Sequence, residues 1–217
     1  MISSPEMVRI SRDKRLTHKF FIENNVLTPN LWDVNDAIKY RPFPLIIKPI
    51  DGSASTKVFK ITNLKELEFF SQYVPKPILM DYIFGDEFTF DIFIDLNKKV
   101  RAIVPRKRLE VREGEVSKSK ISLEPEILAA GRKVGEAIAN KGGLGMINVQ
   151  CIADKKGDIH FIEINPRFGG GCPLSLKAGY PFPEWVIQMA LNQDLSPLPQ
   201  DLGNGLIMLR YDEAIFI

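Results

Sequence analysis

The chain has 217 residues, 45% of them apolar and 26% charged, with a formal charge of +2. That is the balance of an ordinary globular protein, and it gives no reason to expect nucleic acid or an anionic membrane as a partner. Two cysteines, Cys151 and Cys172, are too few for a disulfide framework. No apolar run reaches the length of a membrane span, and Met1 to Lys14 lacks a signal-peptide apolar core, so a reducing, cytoplasmic setting is expected.

In chain order, Lys14 to Asn25 is expected to be helical, with Leu16, Phe20 and Phe21 on one side and Asn24-Asn25 as the stop. Pro44 to Pro49 predicts a short buried strand, followed by the small polar loop Asp51 to Lys57 and a returning strand from Val58 to Ile61. A helix over Leu64 to Tyr73 and a strand over Pro77 to Tyr82 come next. Glu87 to Asp95 and Val100 to Leu109 predict two strands joined at Leu96-Asn97-Lys98. Glu126 to Asn140 is an amphipathic helix closed by Gly142-Gly143. A hairpin (Ile147 to Ala153, Ile159 to Asn165) and a helix from Phe182 to Asn192 complete the series. Strands and helices alternate without regular βαβ spacing, and two strand pairs are hairpin-like, which argues for an α+β fold. Residues 43–86 are expected to form a small lobe, with 1–42 and 87–217 forming a larger one and a ligand cleft between them.

The densest chemistry lies in Phe161 to Arg167, followed by Phe168 and Gly169 to Gly171. Side chains two apart on a strand share a face, roughly 6.6 Å apart, so Glu163 and Asn165 point the same way. Arg167 lies just past Pro166, which ends the strand. Oxygen ligands beside an arginine suit Mg2+ and phosphate rather than zinc. With an even-length turn, Gln150 faces Glu163 and Asn148 faces Asn165. A three- or five-residue loop shifts the pairing by one. In the even register these four polar groups share one face, and Ile147, Val149, Cys151, Ile162 and Ile164 cover the core face. The polar face is either solvent-exposed or satisfied by water, metal or ligand.

Lys48 ends the apolar run Leu45-Ile46-Ile47. It is either a solvated strand-end lysine or a cation held beside the loop Gly52 to Ser55, whose backbone N–H groups could lie over phosphates. Leu79 to Glu87 runs from an apolar strand into a glycine turn flanked by acids. It is either a surface turn or a backbone segment that meets a purine edge, with Asp81 or Glu87 taking ribose hydroxyls. Arg106 and Arg108 share a strand face and either grip a carboxylate or phosphate or defend a solvated edge strand. Cys172 has no histidine near it in sequence, which favours a small packed residue over a nucleophile. His18 and His160 lack metal-ligand spacing.

The order Lys14, Lys48 with its small-residue loop, Met80 to Glu87, Gln150 and Glu163-x-Asn165-x-Arg167 resembles the ATP-grasp superfamily. Asn148-Val149-Gln150 and Glu163 to Arg167 place the resemblance in its carbamoyl-phosphate-synthase-like branch, over roughly Arg12 to Asn192. It implies an ATP-grasp fold of two α+β lobes enclosing a nucleotide cleft. It assigns Lys14 and Lys48 to ATP phosphates and Gly52, Ser53 and Ser55 to the loop that closes over them. Met80, Asp81, Tyr82 and Ile83 become the adenine-reading hinge, Glu87 the ribose ligand, and Asn148 a further nucleotide-side residue. Gln150, Glu163 and Asn165 become ligands of Mg2+ (or Mn2+ in its place). Arg167, with Lys48, becomes the catalytic cation that steadies the γ-phosphate.

The activity implied is ATP-dependent phosphorylation of a small-molecule carboxylate to an acyl phosphate, which an amine then attacks. A non-catalytic or partner-dependent ATP-binding module and an ATP-grasp kinase are the alternatives. Gln150 is neutral where many members carry an acid, implying a weaker second metal site. Only thirteen residues precede Lys14, whereas members usually carry a further N-terminal domain. The resemblance therefore implies a fragment, or a domain supplied by a partner chain. A homodimer is also open to it.

Overall fold

The computed structural model describes residues 2–51, 57–112, 114–211 and 213. Helices α1 (Pro5–Arg12) and α2 (Lys14–Glu23) are separated at Asp13. Its extended backbone ends the first, and its carboxylate accepts from the Arg15 and Leu16 N–H groups to start the second. β1 (Leu31–Trp32), α3 (Val34–Tyr40), β2 (Leu45–Pro49), β3 (Phe59–Ile61), α4 (Leu64–Tyr73) and β4 (Pro77–Asp81) follow. Their strands form a four-stranded antiparallel sheet in the order β1-β4-β2-β3. Leu45, Ile47, Ile61 and Leu79 bury one face against Ala37 of α3 and Leu67 of α4. The sheet draws on Leu31 and Trp32 as well as on residues between 43 and 86, and α3 packs on it.

The second sheet contains β5 (Gly85–Ile94), β6 (Val100–Arg112), β7 (Glu115–Ile121), β8 (Gly145–Asp154), β9 (Ile159–Asn165) and β10 (Ile207–Leu209). α5 (Pro125–Asn140), α6 (Cys172–Lys177) and α7 (Phe182–Ala190) accompany it. Its order is β10-β7-β6-β5-β8-β9, again antiparallel throughout, as an α+β fold requires. No helix among the described residues is long and apolar enough to cross a membrane.

Six elements have no counterpart in the sequence expectations: α1, β1, α3, β7, α6 and β10. α1 and α3 have eight and seven residues, too few to display a helical period, although Ser4-Pro5 and Asp33 are recognisable helix starts. β7 lacks an apolar alternation because Ser117 and Ser119 occupy two of its buried positions.

One face of the six-stranded sheet is apolar from end to end. Phe90, Ile92, Ile147, Val149 and Phe161 pack there against Phe21 of α2 and Val134 and Ile138 of α5. The other face changes character along the strands. Phe93, Ala102, Val104 and Met146 lie under α6 and α7, packed with Phe182 and Trp185. Farther along the same strands the alternate positions become Thr89, Asp91, Arg106, Asn148 and Gln150. A continuous sheet thus builds half a core and half a polar wall from one alternation.

The hairpin β8–β9 reaches the expected pairing by an unexpected route. The Asp154 N–H donates to Asp158 O at 2.9 Å, closing a three-residue loop with Gly157 at φ 90°, a left-handed conformation suited to glycine. Such a loop shifts the register by one, and Cys151 accordingly faces Phe161. A bulge between Gln150 and Cys151 then restores it, so that Gln150 faces Glu163 and Asn148 faces Asn165. The bulge corrects one expectation. Ile162, expected on the core face, lines the cleft beside Glu163, and Phe161 takes the buried place.

Candidate active site

A cavity of about 400 Å³ lies between the two sheets. Nine of the expected site residues line it: Lys14, Lys48, Met80, Asp81, Tyr82, Ile83, Glu87, Gln150 and Glu163. Asn148, Asn165 and Arg167 line an adjoining cavity of about 80 Å³, to which Gln150 also contributes. Gly52, Ser53 and Ser55 lie outside the described residues.

β2 is an interior strand of the smaller sheet, and it carries Lys48 inward at 8% exposure, which rules out the solvated reading. Burial pushes this ammonium down to about 8; the Glu163 carboxylate opposes the shift, and the Lys14 charge adds to it. Lys14 is brought alongside because its backbone N–H donates to Ile50 O at 3.1 Å, tying the start of α2 to the end of β2. Three elements distant in sequence therefore deliver two ammonium groups and one carboxylate to the same space.

The segment 82–84 joins β4 of the smaller sheet to β5 of the larger. The Asp81 carboxylate is committed to β1: Trp32 Nε1 donates to it at 2.6 Å and Asn30 Nδ2 at 2.7 Å. The Asp81 N–H donates to Asn30 O and the Tyr82 N–H to Pro44 O. The Ile83 N–H reaches no backbone acceptor among the described residues, so a planar ligand edge could take it. Glu87 has a 53% exposed side chain and lies 3.6 Å from Arg108 Nε.

Across the larger sheet, register sets the polar groups in rows. Arg106 of β6 faces Thr89 of β5, which faces Gln150 of β8, which faces Glu163 of β9. One pair along, Asp91 faces Asn148, which faces Asn165. Asn165 Nδ2 donates to Glu163 Oε1 at 2.9 Å. Among the described residues no three His, Cys, Asp or Glu side chains come together as a metal site. Among the candidate ligands Gln150, Glu163 and Asn165, Glu163 is the carboxylate, flanked by two amides. Mg2+ is commonly held by one or two carboxylates together with phosphate oxygens and water, so this oxygen set fits a Mg2+ that arrives with phosphates.

A family model described as "ATP-grasp in the biosynthetic pathway with Ter operon" matches residues 73–206, more than half of the chain. The chain belongs to the ATP-grasp family. It is 26% identical to a D-alanine–D-alanine ligase of Fusobacterium nucleatum, over 74% of this chain and 58% of that one. It is 27% identical to a carbamoyl phosphate synthase large chain of Thermoanaerobacter, over 93% of this chain and 20% of the relative. Among solved structures it resembles the biotin carboxylase domain of the Hydrogenobacter thermophilus 2-oxoglutarate carboxylase, with a TM-score of 0.82 at 20% identity. That likeness covers 95% of this chain and 51% of that one, and that structure holds MgADP and bicarbonate. This ATP-grasp chain therefore spans little more than half the length of the ligase relative and a fifth of the synthase.

The ATP-grasp site also contains residues that motif order did not assign. Asp91 is wholly buried and accepts from Arg106 Nε (2.7 Å) and Nη2 (3.0 Å), Asn148 Nδ2 (2.8 Å) and Ser175 Oγ (2.6 Å). One signal for it was available, since an acid inside the apolar run Phe88 to Ile94 must be paired if buried. Ser175 carries no such signal. The edge-strand reading of Arg106 and Arg108 is corrected: β6 is interior, flanked by β5 and β7. Arg167 Nη1 donates to Phe168 O at 3.1 Å. Cys172 is packed, its thiol pushed up to about 12 chiefly by burial, as expected of a small core residue.

Proposed function

We propose that this chain is the nucleotide-binding and phosphoryl-transfer core of an ATP- and Mg2+-dependent ligase, which activates a small-molecule carboxylate as an acyl phosphate for attack by an amine. The observation that carries this reading is the meeting of Lys14, Lys48 and Glu163 in one cleft between two sheets. Lys14 and Lys48 hold the triphosphate, and the backbone of residues 80–83 reads the purine edge. Glu87 takes the ribose, and Glu163, Asn165 and Gln150 hold the metal. Asn148 orients the nucleotide side, and Arg167 steadies the transferring group. Bound Mg2+ supplies charge neutralisation to that group. Gly52, Ser53 and Ser55 are proposed as the cover over the phosphates. The reduced thiols agree with a cytoplasmic setting.

Calorimetry with ATP and Mg2+, followed by a phosphate-release screen over amino acids and other carboxylates, tests the proposal. Absence of ATP binding overturns it. Binding without phosphate release for any carboxylate favours a second reading, a module completed by an N-terminal domain or a partner chain. Its support is that the chain spans 58% of its ligase relative.

The lowered value of Lys48 makes nucleotide affinity pH-dependent. A neighbouring triphosphate favours the ammonium form, so binding above pH 8 takes up a proton. Affinity is expected to be full below about 8 and to fall as pH rises through it. Titrations in buffers of different ionisation enthalpy check this, and Lys48→Met should abolish the proton uptake.

A further inference from the structure

We propose that Arg106 and Arg108 clamp the carboxylate that receives the phosphoryl group, an assignment that rests on the ligase reading above and names its acceptor side. The cavity of about 80 Å³ borders the nucleotide cleft through Arg108 and Gln150 and is also lined by Asn165 and Arg167. That volume is about the space of two or three waters, so it holds a carboxylate head and excludes a nucleotide.

Two cationic donors on its wall, Arg106 Nη1 and Arg108 Nε, are buried and have no hydrogen-bond partner among the described residues. Buried donors in native folds are almost always paired with protein, water or ligand, and guanidinium forks match carboxylates. The two donors differ in how they are held. Asp91 occupies Nε and Nη2 of Arg106, leaving Nη1 over, and the four donors on Asp91 fix the guanidinium in place. Arg108 Nη2 donates to Gly114 O at 3.2 Å, while its Nε lies 3.6 Å from Glu87, beyond hydrogen-bonding distance.

The glycine run after Arg167 has a use here. A Cβ on Gly171 would collide with Arg106 Nη1, so only glycine lets that backbone lie against the donor. Charge favours an anion as well. Glu115, the one acid on this cavity among the described residues, is paired with Arg210 at 3.0 Å, and Arg167 adds a further positive charge. Lys14 and Lys48 line the larger cleft and not this cavity, so the nucleotide phosphates have cations of their own. In the transfer step a carboxylate oxygen forms a bond to the γ-phosphorus as the bond from that phosphorus to the β–γ bridging oxygen breaks. ADP leaves with the electron pair, and no proton moves.

The test uses the full chain saturated with Mg2+ and a non-hydrolysable ATP analogue, titrated calorimetrically with sodium acetate, sodium bicarbonate and L-alanine. At least one of these probes should bind, and which one does separates a carbonic from a carboxylic source. Arg106→Lys, which keeps a cation beside Asp91 but removes Nη1, should weaken the probe about tenfold or more and leave analogue affinity unchanged. Arg108→Gln, which does not disturb the Asp91 pair, should weaken the probe more than the analogue, with an unchanged melting temperature. Analogue binding with no probe binding overturns the clamp alone. Arg106→Lys weakening analogue and probe equally also overturns it. Failure of the analogue to bind overturns the ligase reading and the clamp with it.

Discussion

Glu163→Ala is expected to abolish ATP turnover without unfolding the chain. Glu163 is the lone carboxylate among the three candidate metal ligands, and among the described residues its side chain accepts a hydrogen bond from Asn165 Nδ2. The alanine variant removes the anionic metal ligand. It also removes the charge that supports the Lys48 ammonium, so Lys48 becomes easier to deprotonate in the free protein. Both losses act where charge develops in the transition state. Removing one such electrostatic group typically costs about 10²–10³-fold in rate, and the double role puts the expected loss at or above the top of that range. Arg167→Ala should lower turnover in the same direction, because it takes a cation from the γ-phosphate side. Glu163 is partly exposed on the edge strand β9, so stability should change by less than about 1 kcal/mol. Phosphate release, ATP calorimetry and a thermal melt on each variant decide the matter. Full turnover in either would remove the site from this wall of the cleft.

Asp91→Ala is expected to be the most destabilising single change. Asp91 and Arg106 have side-chain exposures of 0% and 1%, and the alanine variant leaves the Arg106 charge buried without its partner. Breaking such a pair costs about 3–5 kcal/mol. Asn148 and Ser175 lose their acceptor at the same time, which removes the hydrogen bond from α6 to β5. The double variant Asp91→Leu/Arg106→Met should recover much of that loss, because removing both charges also removes the cost of burying them. Urea denaturation of the two variants gives the comparison. A cost below about 1 kcal/mol for Asp91→Ala would mean that water reaches this pair.

The comparison between residue pattern and fold is instructive at particular places. The rows built on Gln150 with Glu163 and on Asn148 with Asn165 follow from strand alternation, yet the loop is odd and a bulge restores the pairing. Alternation could place Glu163 and Asn165 together, but it could not say that Ile162 would turn into the cleft. Lys48 at the end of an apolar run was open to two readings, and its burial in the interior strand β2 excludes the solvated one. Arg106 and Arg108 were likewise open between anion grip and edge defence, and β7, disguised by its serines, made β6 interior.

By itself the sequence determined the α+β class and its longer strands and helices, the shared face of Glu163 and Asn165, and the motif order that marks an ATP-grasp chain. These rest on local periodicity and on residue chemistry, which neighbours along the chain suffice to express. The tertiary structure alone decided that Lys14, Lys48 and Glu163 share one cleft, that Asp91 locks Arg106, and that two arginine donors are left over at a second cavity. Those outcomes depend on packing between sheets and strands remote in sequence. Burial there lowers the Lys48 ammonium to about 8 and leaves the Arg106 and Arg108 donors without a hydrogen-bond partner among the described residues.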